Sequence, residues 1–106
     1  MQVMTTENRK RIKLLSIVKG TYTNSEGSAL FKELDKYLRQ GQSVTIDFTD
    51  CHALSSSFLN SSIGEIFMKY GYNSLKGRIG VVNATKSQKK QIEDYITYLK
   101  EEAVGS

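Results

Sequence analysis

The chain has 106 residues and a mass of 11.9 kDa, enough for one compact domain with one buried core but not for two. Its 39% hydrophobic and 25% charged residues describe a globular chain, neither disordered nor fibrous. A formal charge of +4 leaves nucleic acid open as a partner without arguing strongly for it, and one cysteine (Cys51) with one histidine (His52) excludes an internal disulfide and a zinc site built from those residue types.

No apolar run approaches the length of a membrane span. The N-terminal stretch MQVMTTENRKRIKLLSIVKG has no apolar segment of signal-peptide kind after its basic cluster, so a cytoplasmic protein without membrane contact is expected. Residues 1–9 are polar and unpatterned. With 101–106 they are expected as flexible ends of a single domain over 10–100.

Residues 11–18 (RIKLLSIV) are apolar on both parities. Ile12, Leu14 and Val18 point one way and Leu15 and Ile17 the other, which predicts a strand covered on both faces. Residues 20–27 (GTYTNSEG) read as a turn. Residues 28–39 then predict a helix, with Leu30, Leu34, Tyr37 and Leu38 on one face, Phe31 widening it, and Gly41 placed as a left-handed cap.

Residues 43–48 (SVTIDF) alternate as a half-buried strand does: Val44, Ile46 and Phe48 on one face, Thr45 and Asp47 on the other. After the polar connection TDCHALSSS, a helix over about 56–70 carries the stripe Leu59, Ile63, Ile66, Phe67 and Tyr70, and ends at Gly71. Residues 78–82 (RIGVV) predict another strand. Thr85 and Gln88 have the capping-box spacing, opening a last helix that runs to about Glu101 and buries Ile92, Tyr95, Ile96 and Leu99.

Strand and helix therefore alternate three times, and the expected fold is α/β: a small, mostly parallel sheet with amphipathic helices. In such sheets functional loops lie beyond the carboxyl ends of the strands. Here those are 49–57 and 83–86. Both feed helix N-termini, where backbone N–H groups stand unpaired.

The segment VTIDFTDCHALSSSFLNSSIGEIF resembles the signature of the STAS superfamily, the fold of bacterial anti-sigma-factor antagonists. It is most similar to the STAS-like family of unknown function, through Ile46-Asp47-Phe48, the turn Ser55-Ser56-Ser57-Phe58 and the helix that follows. The resemblance implies a protein-binding regulator whose partner is another protein, such as an ATP-binding, kinase-like anti-sigma regulator. It implies no cofactor and no enzymatic activity. In the antagonists the first serine of an Asp-Ser-Ser-Gly turn is phosphorylated. Aligning that turn places Ser56 as the phospho-acceptor with Ser57 after it, while Ser55 stands where the antagonists have an acid and Phe58 where they have glycine.

The serine run supports two readings: capping of the helix start, and a phospho-acceptor on the positive end of the helix dipole. The expected contact surface is Ser55, Ser56, Ser57, Phe58, Asn60 and Ser61, with Phe58 an anchor if exposed and core if buried. Asp47, if its face is covered, must be paired or hydrogen-bonded. Asp50, His52 and Ser56 lie in one polar loop, but their spacing does not make a triad, because a triad is a spatial arrangement. Cys51 reads as a packing residue. The alternative function is nucleic-acid or anion binding through Lys86, Lys89 and Lys90, which cluster at the start of the last helix. No catalytic or metal-binding residue is assigned.

Overall fold

The computed structural model describes residues 9–105. The elements are β1 (Arg9–Lys13), a 3-10 turn (Leu14–Ser16), α1 (Asn24–Leu38), β2 (Ser43–Asp47), α2 (56–70), α3 (Tyr72–Leu75), β3 (Ile79–Val82) and α4 (Lys86–Gly105). Within α2 the α-helical Ser56–Leu59 and Glu65–Tyr70 flank a π-helical stretch, Asn60–Gly64, and the backbone stays right-handed through both junctions. The flexible ends expected at 1–9 and 101–106 fall outside the described residues at 1–8 and 106. At 9 and 101–105 the backbone belongs to β1 and α4.

The three strands are parallel, in the order β1-β2-β3. Their register aligns Ile12, Ile46 and Val81 in one row and Arg11, Thr45 and Gly80 in the next. Side chains alternate across a pleated sheet, so these rows face opposite sides. The first row packs into the core with Val44, Leu30, Leu34, Phe58 and Ile66. On the other side Arg9, Arg11 and Lys13 are exposed.

The strand expected over 11–18 is therefore corrected. It ends at Lys13, and Leu14 starts a 3-10 turn. Leu14 and Val18 are buried, whereas Leu15 and Ile17 are half-buried at the periphery. The turn re-aims the chain, so apolar residues of both parities are accommodated without a second layer. Among the described residues, the sheet is covered on one face.

Helix α1 begins four residues before the expected position, because Thr23 and Glu26 form a capping box. Glu26 N–H donates to Thr23 Oγ1 and Thr23 N–H to Glu26 Oε1, both at 3.1 Å. Such a cap stabilises a helix start by about 1 kcal/mol. Gly41, with φ +82° and its N–H donated to Leu38 O, closes the end of α1 as the expected left-handed cap, a conformation glycine adopts without a Cβ clash.

Helix α2 lies between α1 and α4. Gly27 of α1 is the point of closest approach: a Cβ there would meet Phe58 O and Ser61 Cβ at 2.6 Å. Farther along, Asp35 accepts from Tyr70 Oη at 2.5 Å and from Lys69 Nζ at 2.9 Å. The Tyr70 hydroxyl, then Lys69, holds the Asp35 carboxyl below its ordinary pKa. On the other flank Tyr95 of α4 donates to Asn60 Oδ1 at 2.6 Å. Buried Ser62 donates to Phe58 O at 2.7 Å, competing for a carbonyl the helical ladder would use, where α2 widens into its π stretch.

Candidate functional site

The connection from β2 to α2 is a loop whose polar groups are largely engaged. At its start, Asp47 at the end of β2 is bonded to Arg11 of β1 and to Asn83, the residue after β3. Its Oδ1 accepts from Thr49 Oγ1 at 2.6 Å, Thr49 N at 2.9 Å and Asn83 Nδ2 at 3.0 Å, and its Oδ2 pairs with Arg11 at 3.0 Å. The Thr49 hydroxyl, then Asn83, then the Thr49 amide and Arg11 hold this carboxyl well below the usual carboxylate range. Asp47 is thus a bonded anion that ties the strand ends together, not a proton acceptor near neutral pH. The left-handed residues Asp50 and Asn83, at φ 65° and 58°, turn the chain away from the sheet on either side of it.

The middle of the loop is held by α4. Buried Gln88 accepts from Thr85 N at 2.8 Å and donates to Cys51 O at 2.9 Å and His52 O at 2.8 Å. The expected Thr85–Gln88 capping box is present. The amide does more than a capping glutamate could, because its NH₂ carries two donors. Three residues on, Gln91 brackets Leu54, accepting from its N–H at 3.2 Å and donating to its carbonyl at 2.9 Å. From the α1 side Thr21 donates to Ala53 O and accepts Ser55 N at its own carbonyl.

Ser55, the N-cap of α2, uses its hydroxyl twice: it accepts from Phe58 N at 3.0 Å and donates to Tyr22 O at 2.7 Å. Phe58, only 1% exposed, is a core residue rather than an exposed anchor, and leaves the expected contact surface. The spacing of α2 turns it inward, with Leu59, under the helix layer. Asn60 is exposed but accepts from Tyr95, and half-buried Ser61 donates to Asn24 Oδ1 at 2.8 Å. Ser56 and Ser57 are different. Both are exposed, and their hydroxyls form no hydrogen bond among the described residues. Their N–H groups are first-turn donors left open once Ser55 has capped Phe58.

Asp50 and His52 are exposed, and no hydrogen bond among the described residues joins them to each other or to Ser56. Burial, then Asp47 and Asp50, raises the Cys51 thiol above its ordinary pKa, which disfavours the thiolate a nucleophile needs. Lys86, Lys89 and Lys90 are exposed at the start of α4, with Lys90 ion-paired to Asp94 at 3.3 Å. Among the described residues no group of His, Cys, Asp and Glu side chains could hold a metal ion, and no helix is long and apolar enough to cross a membrane.

Two residues of this rim were not anticipated. Tyr22, 56% exposed, sits beside Ser55 through the bond to its carbonyl. Glu26 accepts from the Tyr22 and Thr23 amides, and the Tyr22 amide leads in lowering its carboxyl pKa. The signal was present as Thr23-x-x-Glu26, inside a stretch read as a turn.

The family described as a STAS-like domain of unknown function (DUF4325) matches residues 26–89, more than half of the chain, from within the first turn of α1 to the first turn of α4. The chain belongs to that family. No curated protein and no solved structure matches it. The matched region of this STAS-like domain contains the capped serine turn, Asp47 and the Gln88 tether, while Arg11, Thr21, Tyr22 and Gln91, which also hold the rim, lie outside it.

Proposed function

We propose that this STAS-like domain is a non-catalytic regulatory module that binds another protein through the start of α2, and that phosphorylation of Ser56 switches the contact. One observation carries the reading. In a run of three serines, Ser55 is consumed by the cap, while Ser56 and Ser57 present unbonded, exposed hydroxyls in the first turn of α2, just after a loop pinned from both sides. A phosphate on Ser56 would stand at the positive end of a fifteen-residue helix, near its open amides, and so would be tolerated without unfolding. Exposed Tyr22 adds the amphipathic aromatic surface that protein interfaces favour.

The departures from the antagonist turn fit the same reading. Serine replaces aspartate as N-cap with little change in capping strength. Phenylalanine replaces glycine where the side chain points into the core, leaving the outer surface to Ser56 and Ser57. The resemblance to the antagonists makes an ATP-binding, kinase-like protein the proposed partner.

The test combines modification mapping with affinity. Protein recovered from its source cells carries phosphate on Ser56 and none on Ser55, and Ser56→Ala abolishes the modification. For a partner captured with the wild-type chain, Ser56→Asp weakens binding at least about tenfold and Tyr22→Ala weakens it less. Affinity unchanged by Ser56→Asp, Ser56→Arg and Tyr22→Ala would remove this surface from the interaction.

A further inference from the structure

We infer that the outer edge of β3 is a second docking site, one that takes an extended acidic segment of another protein as an added strand. The backbone of β3 leaves hydrogen-bonding groups on its outer edge. Val44 N–H donates to Arg78 O and Phe48 N–H to Val82 O, so the residues between alternate, with Gly80 and Val82 turned toward β2. Ile79 and Val81 therefore aim their N–H and C=O groups outward, where no described strand meets them. All four residues of β3 are half-exposed.

The shape beside that edge also suits an added strand. A cavity of ≈ 270 Å³ lies between β3 and the helices, walled by Ile63, Phe67, Ile79, Val81, Ile92 and Ile96. A strand added beyond β3 would direct every second side chain toward this hollow. Backbone bonds along the edge and a pocket for alternate side chains are the two elements of strand-addition recognition. The opposite edge of the same sheet is treated differently. β1 reads RKRIK, four cations in five residues, the usual guard against edge pairing, whereas β3 reads IGVV and carries none.

Charge selects the occupant. Lys76 lines this cavity, and Lys100 lines an adjoining hollow of ≈ 150 Å³, with its ammonium 4.5 Å from the Tyr72 ring centroid. A segment with apolar residues at alternate positions and acidic flanks satisfies both the hollow and its basic border. A second copy of this chain fits poorly. Antiparallel pairing of two β3 edges would set one cavity against the other and bring the Lys76 end of one strand beside the Lys86 end of the next.

The probe is a synthetic peptide of alternating valine and threonine with aspartate flanks, compared with a lysine-flanked peptide, and read by backbone amide NMR on the full chain. The aspartate-flanked peptide shifts the Ile79 and Val81 amides and slows their hydrogen exchange, while Gly80 and Val82, already bonded to β2, change little. Lys76→Glu with Lys100→Glu weakens that peptide about tenfold at low salt and reverses the preference between the two peptides. No response at Ile79 and Val81, or equal binding of both peptides by both proteins, overturns the proposal. So do Ile79 and Val81 amides already protected in the free protein: a dimeric mass would assign the edge to a second copy, a monomeric one to the chain itself.

Discussion

The rim at the end of β2 and the outer edge of β3 have opposite character. The rim is rich in serine, aspartate and glutamine, and most of its polar groups are already bonded within the protein. The β3 edge is made of isoleucine, glycine and valine, and its outward backbone groups have no partner among the described residues. Residues that look reactive in a sequence can be fully occupied in holding a loop, while an apolar stretch that looks inert can present unpaired hydrogen-bonding groups. What a region has left to offer depends on which of its polar groups remain open after folding.

Variants that open the rim should separate its structural residues from its exposed ones. The largest effect is expected at Phe58. Phe58→Ala should cost about 3–5 kcal/mol in urea unfolding, because it empties a position at the centre of the helix layer. A loss below about 1 kcal/mol would mean that Phe58 faces outward and that the contact surface is wider than described.

Gln88→Glu comes next, at roughly 2–3 kcal/mol. The carboxylate can still accept from Thr85 N, but it faces the Cys51 and His52 carbonyls with no donor and sits where the side chain is buried. Raised hydrogen exchange confined to 51–54 is the accompanying signature. An unchanged loop would show that Gln91 and Thr21 hold it alone.

At Asp47 the expectation concerns pH. Folding lowers the carboxyl pKa, so its contribution is complete above the ordinary carboxylate range and fades as pH falls through the folded value. Asp47→Asn should lower the melting temperature at neutral pH, and the gap between variant and wild type should narrow on acidification. A gap that does not depend on pH would assign the effect to geometry rather than charge.

The smallest effects distinguish neighbouring serines. Ser55→Ala should cost about 1 kcal/mol, through the lost cap and the unpaired Tyr22 carbonyl. Ser56→Ala should stay within about 0.5 kcal/mol, since its hydroxyl bonds nothing among the described residues. Equal costs at both positions would erase the distinction on which the proposed switch rests.

Much of the fold was legible because its signals are local. The alternation of Val44, Ile46 and Phe48 marks β2, the stripe from Leu59 to Tyr70 marks α2, and Thr85 with Gln88 marks the start of α4. Where local signals conflict, the reading shifted. Thr23-x-x-Glu26 competes with two flanking glycines, and the stretch reads as a turn. Residues 11–18 looked like one long strand because a 3-10 turn also places Leu14 and Val18 inside. Helix α3 has four residues, too few for periodicity to register.

The sequence by itself determined the alternation of strands and helices, the caps that start them and the faces they bury, because each depends on residues within a turn or two of one another. Only the tertiary structure decided which of three identical serines is spent, that Gln88 tethers a loop more than thirty residues away, and which strand edge stays open. A hydrogen-bonding group is used or free according to what the rest of the chain brings beside it, and those neighbours are remote in sequence.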